Sequence, residues 1–274
     1  MPRWLEEADS ISGTQGLTFV SFGVRTRLVA PSGQLGRVVA VVPPGSRRCS
    51  TTDLHATFAL AADGDGTYEL TRNGERLAGS LGLELALEVL ERELRALVAL
   101  RAPRHIFVHA GVVAHKGAAI VMPGATMAGK TSLVAALVRA GAEYYSDEFA
   151  PLDGEGLVHP FAKPLSLRDD RSVQTDHHVV DLGGVAGEEP VPVGAVIVTQ
   201  YRAGAEWRPR RLTSGAAVLA LLSHTVPAQS RPAQALHAIN RAVDSATVLD
   251  APRGEADAVA PLMLAELERA VSRL

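Results

Sequence analysis

One stretch constrains this chain more than any other: Gly124-Ala125-Thr126-Met127-Ala128-Gly129-Lys130-Thr131, which fits the spacing G-x-x-x-x-G-K-[ST] throughout. Residues 118–122 before it form an apolar run that reads as a buried strand. Residues 131–140 after it read as a helix, with Gly141 where a C-terminal cap is expected. The chain must therefore turn from strand to helix at the glycines. Glycine admits backbone conformations closed to other residues, so successive amides can turn toward a single anion. The helix opening near Lys130 aims unsatisfied N–H groups and its positive dipole end at the same point. The chemistry this favours is the holding of nucleotide phosphates by Gly124, Ala125, Thr126, Met127, Ala128, Gly129, Lys130, Thr131 and the following Ser132. Lys130 reaches the β- and γ-phosphates as a point charge, and the Thr131 hydroxyl completes the coordination of a bridging Mg²⁺.

The next strand, residues 142–146, delivers Asp147 and Glu148. In folds built around such a loop this strand is expected beside the loop strand, its carboxyl end facing the triphosphate. One carboxylate can then hold Mg²⁺, directly or through water, while the other accepts the proton of an attacking hydroxyl. A solvated acidic turn is the plainer reading, and the upstream loop argues against it. His109 stands upstream of the loop, in the segment His109-Ala110-Gly111 at the end of a strand. By residue type alone a hydrogen-bonded core histidine explains it as well as a catalytic one. Asp176, His177 and His178 have the residue types of a metal site but no third ligand at helical spacing, so a structural or exposed role is expected for them.

With 274 residues, 47% hydrophobic and 21% charged, the chain can bury a large core. Lys plus Arg number 27 against 30 Asp plus Glu, a net charge of −3 that argues against a nucleic-acid partner. The single cysteine, Cys49, excludes an internal disulfide. No apolar run suffices to cross a bilayer and no signal-like apolar region opens the chain, so the expectation is a cytoplasmic protein without a membrane partner.

Two domains are expected: a β-rich module over residues 1–102 ending in an amphipathic helix, and a larger domain over 103–274 that carries the loop. In the module, residues 17–20, 24–29 and 38–42 read as strands. A hairpin joins 56–61 to 67–71 through Asp63-Gly64-Asp65-Gly66, and Asn73-Gly74 marks another tight turn. Together these read as an antiparallel meander. Leu83, Leu87, Leu90, Leu94 and Leu97 then recur at helical spacing over residues 81–100. In the larger domain, 106–114 and 194–199 read as strands, and 214–224, 233–243 and 255–274 as helices.

Taken in order, His109-Ala110-Gly111, the glycine loop, Tyr145-Ser146-Asp147-Glu148 and Pro164-Leu165-Ser166-Leu167-Arg168 resemble the catalytic domain of the HPr serine kinase/phosphorylase family and its relatives. The resemblance covers residues 106–199 and, more weakly, the helices beyond. It implies an α/β fold with a P-loop core of the HPr-kinase/PEP-carboxykinase type behind the small β-rich module. It also implies an ATP- and Mg²⁺-dependent phosphotransferase acting on a hydroxyl, usually serine, of a protein or precursor peptide. In that picture Thr131 and Asp147 hold the metal, and Asp147, ahead of Glu148, activates the acceptor. His109 stands near the phosphates, and Arg168 neutralises the transferred phosphoryl group. A homo-oligomer would fit the family as well.

Three departures separate this chain from the family pattern. The acidic pair is Asp147-Glu148 where the family has Asp-Asp. Ser166 stands two residues before Arg168 where the family places a Glu, and Asp169-Asp170-Arg171-Ser172 replaces a glycine-rich segment tied to phosphorolysis. A kinase without the reverse activity is therefore expected. The N-terminal module does not resemble the family's regulatory domain, so HPr is not the expected acceptor. Related stand-alone kinases modify ribosomally made peptides, including lasso peptides. A small-molecule kinase and a nucleotide-binding regulator without turnover are the competing readings.

Overall fold

A computed structural model describes residues 9–11, 13–125, 129–168 and 174–272. They fall into two units, Met1–Pro103 and Arg104–Leu274. None of the described helices is long and apolar enough to cross a membrane.

The described residues of the first unit form one sheet and two helices. Its strands are β1 (Asp9–Ile11), β2 (Thr14–Ser21), β3 (Val24–Pro31), β4 (Arg47–Arg48), β5 (Ala56–Asp63), β6 (Thr67–Arg72) and β7 (Glu75–Leu81), and its helices are α1 (Leu35–Ala40) and α2 (Leu83–Arg101). The order is β1-β2-β3-β5-β6-β7, with β4 paired to β2. Between β2 and β3, Phe22 and Gly23 both take positive φ (48° and 82°), the two-residue turn whose twist suits a hairpin. The segment expected as a strand at residues 38–42 is instead the end of α1 and the turn after it. Leu35, Val38 and Val39 are buried at the i, i+3, i+4 spacing of a helix, and that period outweighs the β-branched composition. This helix carries the chain across, so β3 and β5 pair in parallel and the sheet is not a simple meander. Helix α2 buries Leu87, Leu90, Leu94 and Leu97 and packs on β3, β6 and β7.

In the second unit β8 (Ile106–His115), β9 (Ala118–Pro123) and α3 (Lys130–Arg139) come first, followed by β10 (Glu143–Ser146), β11 (Phe149–Leu152) and β12 (Leu157–Val158). A hairpin of β13 (Leu165–Arg168) and β14 (Gln174–His177) precedes β15 (Val191–Tyr201), β16 (Arg210–Arg211), α4 (Ser214–Leu222), α5 (Pro232–Val243), β17 (Thr247–Arg253) and α6 (Ala256–Val271). β8 changes partner along its length. Its first half, Ile106 to His109, pairs with β11, and its second half pairs with β10 on one side and β9 on the other. β9 and β17 flank β15 in parallel. The acidic strand β10 thus lies beside β8 and not, as expected, beside the loop strand β9: β8 stands between them.

Both faces of this sheet are covered. Leu133, Val134 and Leu137 of α3 and Met263, Leu264 and Leu267 of α6 pack with Val113, Ile120 and Met122 on one face. Ala217 and Leu221 of α4 and Ala238, Ile239 and Val243 of α5 pack with Val108, Val112 and Val121 on the other. A strand buried on both faces reads as an unbroken apolar run, as 118–122 does.

At the start of β8, His159 Nε2 bonds Asp153 Oδ2 at 2.8 Å, and the His105 ring meets the His159 ring edge-on, centroids 4.5 Å apart. Burial, with the His159 charge second, lowers the His105 pKa from 6.5 to about 4. The folded state therefore takes up a proton at His105 less readily than the unfolded chain, and stability falls as pH drops from 6.5 toward 4. Allowing for partial exposure, this amounts to about 2 kcal/mol. Urea unfolding across that range should show the loss in the wild type and a flatter profile in His105→Phe.

Candidate functional site

The glycine loop leaves β9 and is tied back to β8 at once, since the Gly124 N–H donates to the His109 carbonyl at 3.2 Å. Gly129 closes the loop with φ 73°, a left-handed conformation that suits glycine, and α3 begins at the next residue. The Lys130 ammonium folds over the loop and donates to the carbonyls of Gly124 (2.9 Å) and Ala125 (2.7 Å). Ser132 is exposed in the first turn of α3. Thr126, Met127 and Ala128 lie outside the described residues. Gly111 of β8 lies under α3, where an added Cβ would come within 2.8 Å of Val134 Cγ2.

Asp147 is 6% exposed and both of its carboxylate oxygens accept hydrogen bonds. Oδ2 takes the Thr131 hydroxyl at 2.9 Å, while Oδ1 takes the Tyr144 hydroxyl at 3.0 Å and lies 3.0 Å from Lys163 Nζ. Burial, followed by the Asp147 charge, raises the Tyr144 pKa far above its usual value, so this phenol only donates. The turn is set by Ser146, whose Oγ accepts from the N–H groups of Glu148 (3.1 Å) and Phe149 (2.9 Å). The Glu148 carbonyl accepts from the Ala110 N–H at 3.1 Å, so the corner is fastened to the part of β8 where its partners change.

Four cationic or ionisable side chains complete the surroundings. Burial lowers the Lys130 pKa, and the negative charges of Asp147 and Glu148 oppose that shift, which places both carboxylates within electrostatic reach of the ammonium. His109 is paired across the sheet with Phe149, their rings 4.6 Å apart and tilted by 34°. Its pKa is lowered by burial first and then by the Lys130 and His224 charges, so the imidazole is neutral at pH 7. The backbone carbonyl of His224 accepts from the His109 N–H at 2.8 Å, and burial and Lys130 lower the pKa of His224 too. Arg253, at the end of β17 and 4% exposed, donates to the Gly129 carbonyl at 3.0 Å and stands over the Tyr201 ring at 5.5 Å.

The structure thus gathers Lys130, Thr131, Asp147, Glu148 and His109 around the mouth of the loop. Arg168 ends β13 as a backbone position, its side chain outside the described residues, as are residues 169–173. Ser166, two residues before it, bonds the Asp176 carboxylate across the hairpin. His177 bonds the Thr175 hydroxyl at 2.9 Å.

Sequence reasoning passed over Tyr144, Lys163, His224 and Arg253, which come from separate elements. Only Lys163 carried a local signal, a lone cation in the Pro-bounded run Pro160-Phe161-Ala162-Lys163-Pro164. The Thr131 hydroxyl and the Asp147 carboxylate, in contact at 2.9 Å, are the hard oxygen donors that suit Mg²⁺. The donor set therefore fits that ion.

No family model matches the chain, and no curated protein matches it. Among solved structures it is similar to the Hpr(Ser) kinase/phosphatase from Coxiella burnetii, with 14% identity and a TM-score of 0.35 over 60% of this chain and 93% of that one. A likeness this distant transfers neither fold nor activity.

Gly111→Ala should destabilise the protein by about 1–3 kcal/mol, because the added methyl is forced against Val134 beneath α3. Gly82→Ala is the control, since Gly82 has φ −60° and open space at its Cβ, and it should be near neutral. Chemical denaturation of both variants makes the comparison.

Proposed function

We propose that this protein is an ATP- and Mg²⁺-dependent kinase that transfers the γ-phosphoryl group to a hydroxyl, in the first place serine, of a protein or precursor peptide. The observation that carries this reading is the 2.9 Å contact between Thr131 and Asp147, which joins the glycine loop to the acidic corner at one point. The ordered resemblance of the motifs to hydroxyl kinases supports the choice of acceptor. The place of action in this reading is the cytoplasm, with no nucleic acid or membrane involved and self-association allowed.

In this reading the amides of the loop and the start of α3 hold the triphosphate, and Lys130 leaves the Gly124 and Ala125 carbonyls to meet the β- and γ-phosphates. Thr131 and Asp147 hold Mg²⁺, which when bound neutralises charge on the phosphates. Both oxygens of Asp147 already accept donors, so taking up a further proton there would displace one of them. Glu148, at the same corner and close enough to act on Lys130, is the better proton acceptor. The acceptor oxygen then bonds to the γ-phosphorus as the bond to the bridging oxygen of ADP breaks, and the hydroxyl proton passes to Glu148. Neutral His109 adds no charge of its own and packs the floor of the site against Phe149.

The test is incubation with γ-labelled ATP, Mg²⁺ and peptides encoded beside the gene. Wild type should label serine, whereas Lys130→Ala and Asp147→Asn should each lose about 10²-fold or more in rate. Glu148→Gln should lose about 10²–10⁴-fold while still binding nucleotide. Failure of the wild type to bind any nucleoside triphosphate would sink the reading. Binding without transfer to any peptide would replace the acceptor with a small molecule or leave a nucleotide sensor.

A further inference from the structure

Lys163 belongs to none of the motifs. Its side chain is 13% exposed and its Nζ lies 3.0 Å from Asp147 Oδ1, on a carboxylate side chain that is itself 4% exposed. It approaches from the irregular segment between β12 and β13. That segment is held firmly at its base. The Phe161 N–H donates to the Tyr145 carbonyl at 2.9 Å, and the fully buried Phe161 ring packs edge-on against Phe107 and Phe149. The main chain is therefore anchored, while a lysine's four-carbon stem has rotatable bonds by which the ammonium can move without the backbone. Among the described residues, the ammonium reaches Asp147 and the Pro164 carbonyl, the latter at 3.3 Å.

This arrangement sets a conflict. A carboxylate buried this deeply needs a positive partner, and Lys163 supplies it. The same carboxylate, in contact with the Thr131 hydroxyl, is the natural ligand of a divalent cation. An ammonium and a divalent cation on one buried carboxylate repel each other strongly at low dielectric. Arg253 does not face this choice, because its guanidinium donates to the backbone carbonyls of Gly129 and Gly254.

We propose that Lys163 is a mobile active-site cation that competes with the divalent ion for Asp147 and, once displaced, neutralises the transferred phosphoryl group. The proposal rests on the reading of the loop as a nucleotide site. The exchange keeps Asp147 compensated throughout and brings a positive charge to the reacting group only when metal and nucleotide are both in place. Lys163 would thereby take over part of the neutralisation that the resemblance assigns to Arg168.

The competition can be measured without turnover. Binding of Mn²⁺ alone, followed by electron paramagnetic resonance on the full chain, should be about tenfold tighter in Lys163→Met than in wild type. Lys163→Gln keeps a donor for Asp147 without the charge and should show the same tightening if the Met variant fails to fold. Lys163→Arg should bind Mn²⁺ as wild type does. Unchanged or weaker binding in folded Met and Gln variants overturns the proposal, as does the absence of Mn²⁺ binding in every form. In the peptide kinase assay, Lys163→Gln should lower kcat about 10²-fold with little change in KM for ATP. A wild type that binds Mn²⁺ but neither nucleotide nor peptide would refute the kinase reading, while the Mn²⁺ comparison would still decide whether Lys163 competes for Asp147.

Discussion

The second unit depends on one buried carboxylate. Asp147 accepts from a loop residue, Thr131, and from a strand residue, Tyr144, and is ion-paired to Lys163 on an irregular segment. A charge this deep is tolerable only while its partners hold their geometry, and removing one of them leaves an uncompensated group in a poor solvent for charge. Asp147 therefore fixes the position of α3 against β10, and of the segment around Lys163 against both. The same contacts that make the carboxylate tolerable aim it at the phosphate loop, so stability and site geometry share one origin.

The scaffold beneath explains why these partners can meet. β8 serves β11 with its first half and β10 and β9 with its second, and the residues around the change, His109 to Gly111, meet the glycine loop, the acidic corner and α3. The His109 carbonyl ties the loop, the Ala110 N–H ties the acidic corner, and Gly111 lets α3 approach. Three consecutive residues thus hold three elements in register. Aromatic contacts among Phe107, Phe149 and Phe161 stiffen the same region from below, with ring centroids 5.6 to 5.8 Å apart.

Much of the local structure was legible from periodicity. The leucines of α2 obey a single helical period over enough residues to exclude a strand, and β9 was readable as a short unbroken apolar run that stops at the glycine loop. Short mixed segments were not legible. Residues 38–42 carry the composition of a strand, yet they end a helix whose buried face began earlier, at Leu35. β17 was overlooked because its alternation is broken by Asp250 and Pro252, and it becomes a strand only by pairing in parallel with β15. The placing of β10 beside β8 could not be read either, because strand order depends on contacts between segments far apart in the chain.

From its own residues the chain determined the chemistry available at the loop: glycines that permit the turn, a lysine and a threonine at the start of a helix, and two acids at the end of the next strand. These are local matters of backbone freedom, charge and helix direction, and local order suffices to express them. The tertiary structure alone decided which groups surround that loop. Lys163, Tyr144, His224 and Arg253 come from four separate elements, and no spacing links them to the glycines. The physical reason is that an ion pair or hydrogen bond acts through space at a few ångströms. Packing of the core, and not position along the chain, brought those partners within reach of one another.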